Sequence, residues 1–246
     1  MIRYMLRRAG QALVVLVGAA VLVFFLLQLV PGDPVRAAMG TRFNPEAYAE
    51  LMAAAGLDLP LHEQLIRYLS NAVVGDFGVS FRNGESVFDL VMSRLPAPIS
   101  LAVAALIIAL LISFPLGIIS AMRRGRAIDH AARIGSQIGV SVPDFWLGIL
   151  LILVLTGWLG LLPPSGYTPI TEDPVDWLRH VIMPALTVGL ISGSILTRFI
   201  RSATLESNDQ DFARTARAKG LHESVFMRDH VLRNAMVPII LSLIHI

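Results

Sequence analysis

The chain has 246 residues, of which 55% are hydrophobic and only 15% charged, with a mean hydropathy of +0.67. Soluble domains carry roughly 25% charged residues, so a purely water-exposed surface is excluded. The absence of cysteine excludes disulfides and thiolate metal sites, and a net charge of only +2 gives nucleic-acid binding no support.

Taken in chain order, four runs are long and apolar enough to cross a bilayer. Ala9–Val30 has no charge over 22 residues, about 33 Å of helix at roughly 1.5 Å per residue. Arg3, Arg7 and Arg8 precede it as they would in a signal peptide. The run is too long for that, however, and ends in Pro31-Gly32-Asp33-Pro34 without a small-x-small cleavage site, so an uncleaved anchor is predicted. Ala97–Met122 is the second run, with Pro115 as a tolerated kink. Phe145–Leu162 is the third and Val181–Thr197 the fourth. Ala235–Ile246 covers only 12 residues and reads as a fifth span cut short.

Charge asymmetry predicts the topology. With the amino terminus inside, the inner segments hold 14 of the 20 basic residues and only six acidic ones. The outer segments are acidic on balance. The short stretch Arg123–Arg133 weighs most, because the positive-inside rule is strongest for short loops.

The first outer segment, Pro31–Pro96, is long enough to need structure of its own. Pro45–Ala55 and Leu61–Val74 have helical composition, separated by Gly56-Leu57-Asp58-Leu59-Pro60. Gly75-Asp76-Phe77-Gly78 predicts a turn, and Val87–Leu95 a helix suited to the membrane surface. A cap over the outer mouth is favoured over a docking site for an external partner. The second outer loop, Pro163–His180, is proline-rich and acidic, with Trp177 as an interface anchor. The predicted organisation is an all-α polytopic bundle with three parts: 1–30, the inner terminus and first span; 31–96, the outer helical region; and 97–246, the core.

No energy-converting chemistry is legible. There is no G-x-x-x-x-G-K-[ST] cradle, and the only lysine is Lys219. The one ionisable group that could serve an ion-driven carrier is Asp144, in Ser141-Val142-Pro143-Asp144. Beside a proline and before an apolar run, it suits the capping of a helix start better. Ser192-Gly193-Ser194 lacks an activating histidine inside any complete span, so Gly189, Ser192 and Gly193 are expected at helix contacts. The six histidines show no ligand-type spacing. No catalytic, cofactor or metal residue is assigned.

The inner segment Arg198–Pro238 remains. Phe212, Ala216 and Lys219 fall at i, i+4 and i+7, as if on one face. Ala213, Ala216 and Ala218 make a slim helix that a partner groove could approach, and Gly220 is placed to end it left-handed. Glu223–Leu232 restarts the helix at an angle. Protein docking fits this pattern of alanines interleaved with charges better than a hairpin lying on the bilayer, which would show a wide apolar stripe.

These residues resemble the membrane permease subunits of bacterial ABC importers of the dipeptide/oligopeptide type, whose relatives also import nickel or glutathione. The family's coupling motif reads approximately E-A-A-x3-G-x9-I-x-L-P. Aligned on Gly220, this chain has Arg214, Thr215 and Ala216 at the Glu-Ala-Ala positions, His230 for the Ile, Leu232 for the Leu and Arg233 for the Pro, with Pro238 further on. The form Arg-Thr-Ala-Arg-Ala-Lys-Gly-Leu looks like the peptide-permease version. Pro31-Gly32-Asp33-Pro34, Gly75-Asp76-Phe77-Gly78-Val79-Ser80, Ser141-Val142-Pro143-Asp144-Phe145-Trp146 and Leu162-Pro163-Pro164-Ser165-Gly166 agree as well.

The resemblance implies a non-catalytic permease in the bacterial inner membrane. Its expected partners are a second homologous permease, two cytoplasmic ATPase subunits, an external solute-binding protein and membrane lipid. It also implies an ATPase-coupling site at Ala213, Arg214, Thr215, Ala216, Arg217, Ala218, Lys219, Gly220 and Leu221. Such permeases usually have six spans, so the chain is expected to be C-terminally truncated. An ion-coupled carrier using Asp144 and a non-transporting membrane scaffold are the alternatives.

Overall fold

The computed structural model describes residues 1–40 and 43–244, and among these the chain is helical, with one isolated bridge, Val79 to Ser86, and no strand. Two compact units divide it, Met1–Leu95 and Pro96–Ile246.

The first unit opens with α1 (Ile2–Leu29), 28 residues with none buried, about 42 Å long. It begins well before the predicted Ala9, because nothing among the intervening residues breaks a helix. Asp33 caps α2 (Pro34–Met39), its carboxylate accepting from the N–H groups of Val35 (2.9 Å) and Arg36 (3.1 Å) and from the Tyr48 hydroxyl. The Tyr48 bond, first, and the two N–H groups together hold the Asp33 carboxyl below its ordinary pKa.

The helices α3 (Pro45–Ala55) and α4 (Leu61–Val73) stand almost as predicted. Between them Gly56 takes φ +69°, and the Gln64 amide donates to the carbonyls of Leu57 (3.1 Å) and Leu59 (2.8 Å), pinning the turn. The turn at Gly75–Gly78 leads through the Val79–Ser86 bridge to α5 (Val87–Arg94), which Ser86 caps.

The second unit is built around two long helices, α6 (Pro96–Met122) and α9 (Pro174–Asn208), which make its largest helix–helix contact. Small residues let them approach. A Cβ on Gly189 would lie 2.8 Å from Ile108 and 3.0 Å from the Ala105 carbonyl, and one on Gly193 would lie 3.3 Å from the Ala109 backbone. Small residues at such seams are how helices associate where lipid removes the hydrophobic drive. The contact role expected of Gly189 and Gly193 is therefore what the backbone requires, while Ser192 is half-buried beside them.

Three features differ from expectation. First, Ala127–Ser141 forms a helix, α7, over residues read as loop and left unassigned. Second, Phe145–Leu162 is not one straight span. It consists of the 8-residue α8 (Asp144–Leu151) and a 7-residue π-helical stretch, Ile152–Trp158, which at about 1.5 Å per residue falls short of a roughly 30 Å hydrocarbon core. Together with α7 it makes a pair bent by 96°. Pro143 causes the break by excluding Val142 from helical geometry, and Val142 sits at ψ 125°. Third, Asp144 is the first residue of α8 rather than its cap, and its side chain makes no capping bond. Its charge faces the helix N-terminus only as a first-turn acid.

Among the described residues, three helices are thus long and apolar enough to cross a membrane: α1, the run containing α6, and α9. The count is four if the bent pair is one span. The fifth run is observed as α12 (Arg233–Leu243), while His245 and Ile246 lie outside the described residues.

Candidate coupling surface

α9 is 35 residues long, about 52 Å, which exceeds a roughly 30 Å hydrocarbon core by some 20 Å. Its apolar stretch ends at Thr197, and the remainder, beginning with Arg198, carries the polar end of the unit. There the chain turns at Asp209-Gln210 into α10 (Asp211–Ala218). It turns again at Gly220 into the single turn α11 (Glu223–Val225) and a π-helical stretch, Phe226–Leu232, that runs into α12.

The inner face of α10 is Ala213 and Ala216. Both are buried against Phe226, Met227 and Val231, forming a small apolar core of their own. The Arg217 guanidinium lies over the Phe226 ring, 4.5 Å from its centroid. Ser207 at the end of α9 donates to the Val231 carbonyl at 2.8 Å, tying α9 to the π-helical stretch. His222 accepts from the Ser224 N–H at the start of α11. Arg228 grips Asp229 with two bonds of 2.7 and 2.9 Å, which hold that carboxyl below its ordinary value.

Gly220 has φ +72°, the left-handed value expected, and open space on all sides of where a Cβ would stand. A side chain there meets backbone strain and no clash.

Of the nine residues singled out from the sequence, Arg214, Thr215, Arg217, Ala218, Lys219, Gly220 and Leu221 are exposed. Ala213 and Ala216 are not. Their small side chains serve packing inside this chain, so the slim face open to a partner reduces to Ala218. Phe212, Ala216 and Lys219 likewise share no face: Ala216 is buried while Phe212 and Lys219 are exposed. The inner stripe has i, i+3 spacing, set by Ala213 and Ala216.

Sequence reasoning missed what anchors this surface to the rest of the unit. Asp129 of α7 is 1% exposed and accepts two bonds from Arg201 of α9, at 2.7 Å to Nε and 2.9 Å to Nη2. It also accepts from the Ser120 hydroxyl of α6 (2.6 Å) and the Gly125 N–H (2.9 Å). One carboxylate thus joins α6, α7 and α9, with its lone pairs satisfied, the condition under which a buried pair holds. The available signal was a lone acid among Arg123, Arg124, Arg126 and Arg133. Among the described residues no group of His, Cys, Asp or Glu could hold a metal.

A bundle of apolar helices joined by small-residue seams, with a folded polar segment at the end of its longest rod, defines a polytopic membrane permease. Residues 113–245 match the family model described as binding-protein-dependent transport system inner membrane component, and residues 1–102 match that family's N-terminal model. The chain belongs to this family, and it is a transport component of the inner membrane rather than an enzyme. It is 37% identical over 243 residues to the oligopeptide transport system permease protein AppB of Bacillus subtilis, covering 98% of this chain and 77% of that protein. It is 34% identical to the di/tripeptide transport system permease protein DppB of Pseudomonas aeruginosa and to the dipeptide transport system permease protein DppB of Escherichia coli K12. Each alignment covers 98% of this chain and 78% of the relative.

Proposed function

We propose that this permease forms part of the path by which an ATP-driven importer carries peptides or related small solutes, and that the exposed surface of α10 receives the motion of a cytoplasmic ATPase. The peptide cargo rests on the similarity to oligopeptide, di/tripeptide and dipeptide transport system permeases. The solute-binding protein and ATPase partners are those of a binding-protein-dependent transport system, and a second homologous permease with two ATPase subunits completes the proposed assembly. Charge bias supports a cytoplasmic amino terminus and, with the bent pair counted as a fourth crossing, a cytoplasmic α10.

The observation that carries the reading is the exposed set Arg214, Thr215 and Arg217–Leu221 on a segment whose other face, Ala213 and Ala216, is fixed to the π-helical stretch. Force applied to α10 passes through the Ala213–Phe226–Val231 core into α12, and through Ser207 into α9. From α9 the Arg201–Asp129 pair relays it to α7 and α6. Motion of a separate motor would in this way alternate the access of the helices to the two sides of the membrane.

The test is Gly220→Val in the assembled importer, reconstituted with its partners. Because a side chain at Gly220 clashes with nothing, the permease should insert and assemble normally. The β-branched residue cannot hold φ +72° cheaply, so uptake per ATP hydrolysed should fall at least tenfold. Unchanged stoichiometry would refute the coupling role. So would crosslinks from Ala218 or Leu221 that never reach a nucleotide-hydrolysing subunit.

A further inference from the structure

Beside the Asp129–Arg201 pair, α7 and α9 leave an open groove of about 500 Å³, lined by His130, Arg133, Ile134, Gln137, Arg198 and Arg201. We propose that this groove binds a phosphate-bearing anion, with the headgroup of an acidic membrane phospholipid as its source. The groove lining, which also includes Ser202, holds three arginines and no carboxylate. Arg133 and Arg198 are exposed, and among the described residues neither has a carboxylate within 4.0 Å.

The only charge neutralised nearby belongs to Arg201, which spends Nε and Nη2 on Asp129 and leaves Nη1 unused. Arg198 reaches no further than the Gln137 side-chain carbonyl at 3.5 Å, so the Gln137 amide N–H₂ is left as another donor. Two unpaired guanidinium groups with a third behind them form a fork that matches phosphate oxygens.

Position selects the lipid. Arg198 directly follows the apolar stretch Val181–Thr197, which puts the groove at the edge of the hydrocarbon, where phosphates of a bilayer lie. Ile134 and Ile138, 61% and 59% exposed and one turn apart on α7, offer an apolar track continuing from the groove for an acyl chain. A volume of about 500 Å³ accommodates a phosphoglycerol group. This site does not depend on coupling through α10, only on the chain lying in a membrane.

The importer complex, purified in detergent and stripped of lipid, is titrated with phosphatidylglycerol, phosphatidylcholine and inorganic phosphate, and bound lipid is counted by native mass spectrometry. Phosphatidylglycerol should bind and phosphatidylcholine should not. Arg133→Gln and Arg198→Gln should each weaken binding about fivefold and together about 25-fold, the effect expected of single cations near an anionic surface. Arg133→Lys should restore most of it. Both positions are exposed, so folding is not at stake; photocrosslinking of a lipid probe to Ile134 in the unaltered complex gives an independent reading. Inorganic phosphate that binds as tightly as the lipid would keep the anion site and overturn the lipid source. Equal binding of phosphatidylcholine, or binding indifferent to both substitutions, would overturn the proposal altogether.

Discussion

The two longest helices described, α1 and α9, are both apolar and long enough to cross a bilayer, yet they are used in opposite ways. α1 buries none of its 28 residues within this chain, whereas α9 buries twelve of its 35. The more apolar of the two, α1, is the less buried, so it is small and polar side chains that secure a helix within the bundle. Gly10 and Gly18 of α1 look onto open space, while Gly189 and Gly193 of α9 admit α6 to backbone contact. α9 also carries Arg201 and Ser207, which bond to α7 and to the π-helical stretch. Apolarity places a helix in the membrane, and close-approach residues with satisfied polar anchors hold it to its neighbours.

The sharpest way to break this contrast is Asp129→Ala. It strands the Arg201 guanidinium and releases three helices at once, so the loss should be about 3 kcal/mol, read as a lowered unfolding temperature of the purified chain in detergent. If stability is unchanged, the pair does not hold α9. Gly193→Leu comes next. Its side chain would drive into the Ala109 backbone across the α6–α9 seam, an overpacking that should cost about 2 kcal/mol by the same measurement. Leu16→Ala in α1, at a residue 67% exposed, should shift stability of the isolated chain by less than about 0.5 kcal/mol. A larger loss would mean that α1 is held by this chain after all.

Much of this architecture was legible in the residues. Pro96–Met122 and the two helices around Gly56–Pro60 follow from apolar runs and turn chemistry that act locally, and Gly220 was read correctly because only glycine takes its φ cheaply. What escaped depends on partners distant in sequence. Arg123–Arg133 has the composition of a loop, and α7 exists there because α6 and α9 flank it and Asp129 neutralises Arg201. The π-helical stretches Ile152–Trp158 and Phe226–Leu232 have no composition of their own. At the candidate site, exposure of Arg214, Thr215 and Arg217–Leu221 agrees with the pattern of charges, while the inward turn of Ala213 and Ala216 does not. Alanine fits a tight internal contact as well as a partner groove, and only the position of Phe226 decides between them.

The length of α9 has a mechanical meaning. A stiff rod about 52 Å long, tilted by about 5° at its far end, sweeps its near end through roughly 4.5 Å, close to the rise of one helical turn. A small rocking of the seam with α6 is therefore magnified where α10 hangs, and a modest thrust at α10 needs only a slight pivot deep in the bilayer. Stiffness over that span, with Pro184 as the one interior proline, is what makes such gearing possible.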